Sequence, residues 1–206
     1  MHLDRFLEEE PLDMREFNPG NVAEVAAVLM ETLHSPRRRQ ILQNFIDHAT
    51  AECNGDHDAL MASCSRKRQS YAYWATGAKD GRDGLPQSYE ELVPYYRGLI
   101  EANMHLIHLD VEKLIVGDDD LMVEGIVHQL IRGNQAPLMG LEVDDPGAVY
   151  QLSRRTLIIF VFDEDSLGCG EHSYVDGPTL NKHLSKVEPD LVPEVFWNNP
   201  LTGKIN

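Results

Sequence analysis

The chain has 206 residues, of which 42% are hydrophobic and 25% charged, a composition typical of a globular domain. Its formal net charge is −16 at pH 7. That balance excludes broad binding to nucleic acids or anionic membranes as a main function, because both need a basic surface. The three cysteines are odd in number and show no CxxC spacing, which argues against a disulfide framework and a cysteine-based zinc site.

The beginning of the chain, MHLDRFLEEEPLD, has neither the basic nor the apolar region of a signal peptide. The longest apolar runs fall well short of the roughly 20 residues that a membrane helix needs. We therefore expect a soluble protein of a reducing compartment, with the cytoplasm as the simplest location.

The first half of the chain predicts mostly helices after a polar, acidic arm over residues 1–20. Asn21 with Glu24, and Ser88 with Glu91, have the spacing of a helix N-cap followed by a capping carboxylate. Ser35 and Pro36 are typical of an N-cap and a first helical residue. Apolar spacing then predicts helices over residues 21–34, 36–54, 58–64 and 88–103.

The second half predicts mainly strands, after an earlier strand over Gln69–Ala75 and a glycine-containing loop over Lys79–Pro86. Its predicted elements are two strands of a hairpin (105–116 and 121–131), a long loop (134–148), two further strands (149–162 and 167–176), a short helix (178–185) and a proline-containing tail. This order predicts an α+β fold in which helices pack on one face of a bent antiparallel sheet and enclose a cleft.

The segment Gly170–Asp176, GEHSYVD, carries the densest set of polar side chains near that cleft. Side chains two apart on a strand point the same way, so His172, Tyr174 and Asp176 share one face. If that face points inward, His172 can move a proton and Tyr174 can hold a carbonyl or enolate oxygen. If it points outward, the residues inside are instead Glu171, Ser173 and Val175.

The order of elements and several segments resemble the SnoaL-like branch of the nuclear-transport-factor-2-like superfamily. The similar segments are GDHDALMASC, SYAYWA, SYEELVPYYRGLI, HLIHLDVEKLIVGDDDLMVEGIV and RRTLIIFVFDEDSLGCGEHSYVDGPTLNKHL. The resemblance covers roughly residues 36–186. It implies a cone-shaped curved sheet around a pocket, with residues 1–35 as an arm and extra helix and residues 187–206 as a C-terminal tail.

The resemblance gives Asp176 the leading catalytic role, because cyclases of that branch use an aspartate at the end of this strand as a general acid or base. A carboxylate at the edge of an apolar cavity has a raised pKa, which suits proton transfer near neutral pH. The alternative is structural: Asp176-Gly177-Pro178-Thr179 is a good turn and helix start, in which Asp176 accepts hydrogen bonds.

Five further residues are predicted to bind a ligand. Tyr71 and Tyr73 share a strand face, and Tyr95 lies on the following helix, so they could form an aromatic wall, although such tyrosines also pack ordinary cores. His105 and His108 lie three apart, so at most one of them faces the cavity. His128 could join either of them across the hairpin, and a half-buried histidine with a backbone partner is the alternative for each.

His48 and Glu52 lie four apart on the second helix and share a face. With Asp56 they could form a carboxylate–histidine site, even a metal site, but a helix-surface pair is the simpler interpretation. We therefore predict no metal.

The chain lacks a GxGxxG sequence, a phosphate loop, a GxSxG serine elbow and an HExxH motif. The sequence and the resemblance together predict a cofactor-independent lyase or isomerase: a cyclase, isomerase or dehydratase acting by acid–base catalysis on a hydrophobic carbonyl or polycyclic molecule. The alternative is a non-catalytic ligand-binding or dimerisation module. The resemblance also implies a homodimer.

Overall fold

A computed structural model describes residues 9–75 and 80–204. The beginning of the predicted arm, the residue Lys79 that opens the predicted loop and the last two residues of the tail lie outside the described residues. Within the described ranges, the helices are α1 (Asn21–Met30), α2 (Pro36–Cys53), α3 (His57–Ala62), α4 (Tyr89–Glu101) and α5 (Glu194–Trp197). The strands are β1 (Ser70–Ala75), β2 (Ile107–Val116), β3 (Asp120–Arg132), β4 (Val149–Phe162), β5 (Gly168–Val175), β6 (Leu184–Lys186), β7 (Asn198–Asn199) and β8 (Gly203–Lys204).

The main sheet has the order β1-β5-β4-β3-β2, with β6 paired to the beginning of β4. Only β1 and β5 run parallel; the other neighbours are antiparallel, and β2 and β3 form the predicted hairpin. An α+β fold with a curved, mostly antiparallel sheet against helices is thus confirmed. A bulge in β2 between Val111 and Lys113 lies beside Gly125 of β3, where a Cβ would be 2.0 Å from the Asp110 carbonyl oxygen. Bulges of this kind bend a sheet.

Two of the predicted helix caps are observed. The Ser35 side chain accepts from the Arg38 amide, and the Ser88 side chain accepts from the Glu91 amide. The predicted cap at Asn21 is wrong, because Gly20 precedes the helix and the Asn21 side chain binds elsewhere. It accepts from the Leu109 amide and donates to the Leu109 carbonyl oxygen, which satisfies the backbone of β2 at the edge of the sheet.

The predicted helix over residues 178–185 is also wrong. The chain instead makes a 3-10 turn, Asn181–His183, and then pairs as β6 with residues 150–152 of β4. The reason is that β4 is longer than β5, so its first residues would have an unpaired edge without β6. The predicted loop over 134–148 contains a 3-10 segment, Gly133–Met139.

Helices α1 and α2 cover the concave face of the sheet and bury Ala26, Leu42 and Phe45 against Leu109 and Val123. The opposite face near the start of β4 is covered by the N-terminal arm and the C-terminal tail. There Met14 and Phe17 of the arm pack, with Trp197 of the tail, around the buried residues Leu130 and Phe196. Within the described residues, no helix is both long and apolar enough to cross a membrane.

Candidate acid–base site in the cavity

A cavity of about 280 Å³ lies between helices α2 and α4 and the concave face of the sheet. Most of its wall is apolar or aromatic. Its polar and titratable lining residues are His48, Glu52, Cys53, Tyr73, Tyr95, Tyr96, His105, Gln129, Arg154, Thr156, Glu171, Ser173 and Thr179. A mostly apolar pocket with a few convergent polar groups is the usual form of a small-molecule site.

Strand β5 presents Glu171 and Ser173 to this cavity. The alternate residues His172 and Tyr174, the predicted supporting pair, do not line it. His172 Nε2 lies 3.1 Å from the Ser70 hydroxyl oxygen, and Tyr174 is 39% exposed. Asp176, which follows the strand, is exposed as well. The sequence did not determine which face of β5 points into the cavity. In the structure it is the face that carries Glu171.

A cluster of titratable side chains surrounds Glu171. His48 of α2 lies with its Nε2 3.4 Å from Glu171 Oε1 and 3.9 Å from Glu52 Oε2. The Tyr96 hydroxyl donates to Glu171 Oε1 at 2.6 Å. The Tyr71 hydroxyl lies 3.2 Å from that of Tyr96, which extends the cluster to β1. We call these five residues the acid–base cluster.

The hydrogen bonds around His48 indicate which of its ring nitrogens donate. The Ser63 hydroxyl donates to the Leu60 carbonyl oxygen at 2.6 Å, so at 2.8 Å its oxygen accepts from His48 Nδ1. The Tyr96 proton is directed at Glu171, so at 3.2 Å the Tyr96 oxygen accepts from His48 Nε2. Donation from both ring nitrogens favours the imidazolium form of His48, with Glu171 beside it.

Electrostatics agree with this assignment. Burial opposes the charged ring, but the Cys64 and Glu171 side chains beside it hold the pKa of His48 well above its ordinary value. Burial, together with the Glu171 charge, raises the pKa of Glu52 from 4.5 to about 7, although His48 acts in the opposite direction. Burial and the Glu171 charge also raise the pKa of Tyr96 and of Tyr95, so both phenols keep their protons. Glu52 is thus a carboxyl group that can gain or lose a proton near neutral pH.

The predicted ligand-binding residues divide between the two faces of the sheet. Tyr73, Tyr95 and His105 line the cavity. Tyr71 is buried behind it, in the acid–base cluster. His128 lies on the opposite face of the sheet, where its Nδ1 is 2.8 Å from the Ser153 hydroxyl and its Nε2 is 3.2 Å from Asp110 Oδ2.

His105 and His108, which lie three residues apart in the sequence, also lie in different places: His105 is in the cavity wall and His108 is not. His108 pairs directly across the hairpin with His128, with ring centroids 6.0 Å apart, so these two do come together, outside the cavity. His105 is 2% exposed and burial lowers its pKa to about 4, so it is neutral. Its Nδ1 atom is buried without a hydrogen-bond partner among the described residues.

Sequence reasoning treated His48 and Glu52 as a surface pair, and this is wrong because the His48 side chain is buried beneath α4 and β5. A signal was present: Ile41, Phe45, His48 and Glu52 follow helical spacing, so the two polar residues continue the apolar stripe of α2. Asp56 does not join them; it caps α3 by accepting from the Ala59 amide. No group of three or more His, Cys, Asp or Glu side chains within residues 9–75 and 80–204 is arranged to hold a metal ion.

Solved structures similar to this one share its fold. A protein named as a SnoaL-like polyketide cyclase from Shewanella putrefaciens is 10% identical, has a TM-score of 0.52, and matches over 74% of this chain and 87% of that chain. Another of that name from Shewanella denitrificans is 12% identical, with a TM-score of 0.49 and coverage of 69% and 92%. An epoxide hydrolase from Mycobacterium tuberculosis is 10% identical, with a TM-score of 0.48 and coverage of 69% and 83%.

No family model matches the sequence, and no curated protein matches it either. The structural likeness, at such low identity, concerns the fold alone. The chain shares its fold with the SnoaL-like structure from Shewanella putrefaciens. What this chain does has to be argued from its own cavity.

Proposed function

We propose that the chain is an acid–base enzyme, an isomerase, cyclase or dehydratase, acting on an apolar carbonyl compound or polycyclic small molecule in the cavity. The observation that carries this proposal is the acid–base cluster in the cavity wall. Charged groups are costly to place in an apolar cavity and suggest a function there. The resemblance of the fold is compatible with this chemistry and does not select it.

Glu52 is the proton-transfer residue of the proposal. Its raised pKa matches the range in which a general acid or base works best at neutral pH. Glu171 lies beside the His48 ring, and its charge helps to raise the pKa of Glu52. Tyr95, whose phenol keeps its proton, lines the same cavity and can donate a hydrogen bond to an enolate oxygen.

Tyr73 and His105 are proposed to contact the ligand, because both line the cavity. Asp176, His172 and Tyr174, the catalytic residues predicted from the sequence, do not line the cavity, and the proposal places proton transfer at Glu52 instead. Proton transfer of this kind needs no cofactor. The homodimer and the cytoplasmic location stay predictions.

A second candidate is a binding module that holds an apolar molecule without converting it. The mostly apolar cavity wall favours this candidate. The two functions differ in one property: only the enzyme exchanges protons between its ligand and the solvent.

Proton NMR in D₂O tests this difference without knowledge of the natural reaction. We expect the protein to accelerate the loss of the α-proton signals of ketones such as 1-tetralone and 2-tetralone. The rate should rise with pH through about 7, as Glu52 loses its proton. Ketones that bind without any acceleration at pH 6 to 9 would contradict the enzyme and support the binding module.

A further inference from the structure

Arg154 of β4 is a buried cation in the wall of the same cavity. Arg154 is 4% exposed, and it is the only arginine or lysine among the described residues that line the cavity. It points inward because Leu152, Thr156 and Ile158 of the same strand alternate with the outward-facing residues. The acid–base cluster contains carboxylates, so the cavity has both an acidic and a basic region.

The hydrogen bonds of Arg154 leave its charge incompletely neutralised. Nη1 donates to the Thr179 hydroxyl at 2.9 Å, and Nη2 donates to the Asp176 and Gly177 carbonyl oxygens at 3.1 and 3.2 Å. These three acceptors are neutral. The Nε atom is buried and has no hydrogen-bond partner among the described residues.

The carboxylate that approaches Arg154 within 4 Å in the described part of the chain belongs to Glu9 of the N-terminal arm. Its Oε1 lies 3.9 Å from Nε, too far for a hydrogen bond. That oxygen accepts instead from the Arg155 amide at 2.6 Å. A buried charge without a well-placed counter-charge is unfavourable, and guanidinium binds carboxylates especially well.

The distance between the basic and acidic regions sets the shape of a ligand that reaches both. Phe160 of β4 is the register partner of Glu171, and it lies six residues after Arg154. At about 3.3 Å per residue, the two regions are separated by at most about 20 Å, and the bend of β4 shortens this. Leu152, Thr156, Ile158 and Phe160 line the wall beside them.

We propose that Arg154 binds the carboxylate of an elongated apolar ligand, whose other end reaches the acid–base cluster. The substrate class is thus an apolar carbonyl compound that also carries an acid group. This inference rests on the proposed function for the identity of the cavity as an active site. The anion-binding role of Arg154 can be measured without any turnover.

The test compares biphenyl-4-carboxylate with the neutral biphenyl-4-carboxamide by isothermal titration calorimetry. We expect the wild-type protein to bind the acid at least about tenfold more tightly, since a charge-assisted hydrogen bond is worth this much. Arg154→Gln should lose the preference for the acid over the amide. Glu9→Gln should bind the acid more tightly, because a nearby negative charge is removed.

Lys113→Gln is the matched control, since it removes one positive charge at an exposed ion pair on the outer face of the sheet. It should keep the preference for the acid. A wild-type protein that does not prefer the acid, or that binds neither compound, would overturn the proposal. So would a folded Arg154→Gln variant that still prefers it.

If Arg154→Gln does not fold, the test uses the Nε–H signal of Arg154 in ¹H–¹⁵N NMR spectra of the wild-type protein. This signal is assigned by its absence from the spectrum of Arg154→Lys. A shift with the acid and none with the amide supports the proposal; equal behaviour overturns it. Acid preference without ketone proton exchange would contradict the proposed enzyme and leave the anion site standing. Proton exchange without a preference for the acid would support the proposed enzyme and overturn the anion-binding role of Arg154.

Discussion

Replacing His48 by leucine should lower the free energy of unfolding by about 3 kcal/mol, because Glu171 then stays in the cavity wall without its cation. Removal of one partner of a buried ion pair is costly chiefly through the charge that remains. Denaturation with urea at pH 7 measures the loss. The same substitution at the exposed His34 should change stability by less than about 0.5 kcal/mol.

The double variant His48→Leu/Glu171→Gln separates this charge effect from lost packing. Since it removes both charges, we expect it to be more stable than His48→Leu alone. A double variant that is as unstable as the sum of the two single variants would contradict the ion pair. It would mean that the two side chains act independently.

Replacing Glu52 by glutamine should stabilise the protein at pH 8 by up to about 3 kcal/mol. The folded state raises the pKa of Glu52 from 4.5 to about 7, so it binds more protons than the unfolded state between these values. The contribution of Glu52 to stability is therefore greatest below about pH 4.5 and is lost as pH rises toward 7. Glutamine, which resembles the protonated acid, avoids that loss.

Urea denaturation at pH 5 and pH 8 tests this sign. The stabilising effect should be large at pH 8 and mostly absent at pH 5. Glu31→Gln, at an exposed site after α1, should show no such pH dependence. A Glu52→Gln variant that is less stable than wild type at pH 8 would show that Glu52 is not held in an unfavourable charged state.

The fold could be predicted from the sequence because the residue patterns that indicate its helices and strands are local. Ser35-Pro36 and Ser88 with Glu91 define helix starts, and strand alternation separates Glu171 and Ser173 from His172 and Tyr174. The choice between those two faces is not local. It depends on the side of the sheet against which α2 packs, and both faces contain polar and apolar residues in similar numbers.

The acid–base cluster also depends on long-range contacts. His48, Tyr96 and Glu171 come from α2, α4 and β5, far apart in the chain. Helical spacing could have placed His48 in the buried stripe of α2, yet its partner on β5 follows only from the packing of the helix on the sheet. The same holds for Asn21, whose side chain binds the distant Leu109 instead of capping its own helix.

The most direct test of the proposed acid–base site compares two carboxylate variants, Glu52→Gln and Asp176→Asn, in the ketone exchange measurement. Glu52 lines the cavity near His48, whereas Asp176 is exposed and does not line it. We expect Glu52→Gln to slow the exchange by about 10²- to 10⁴-fold and Asp176→Asn to exchange at nearly the wild-type rate. Loss of exchange in Asp176→Asn, with Glu52→Gln unaffected, would contradict the site.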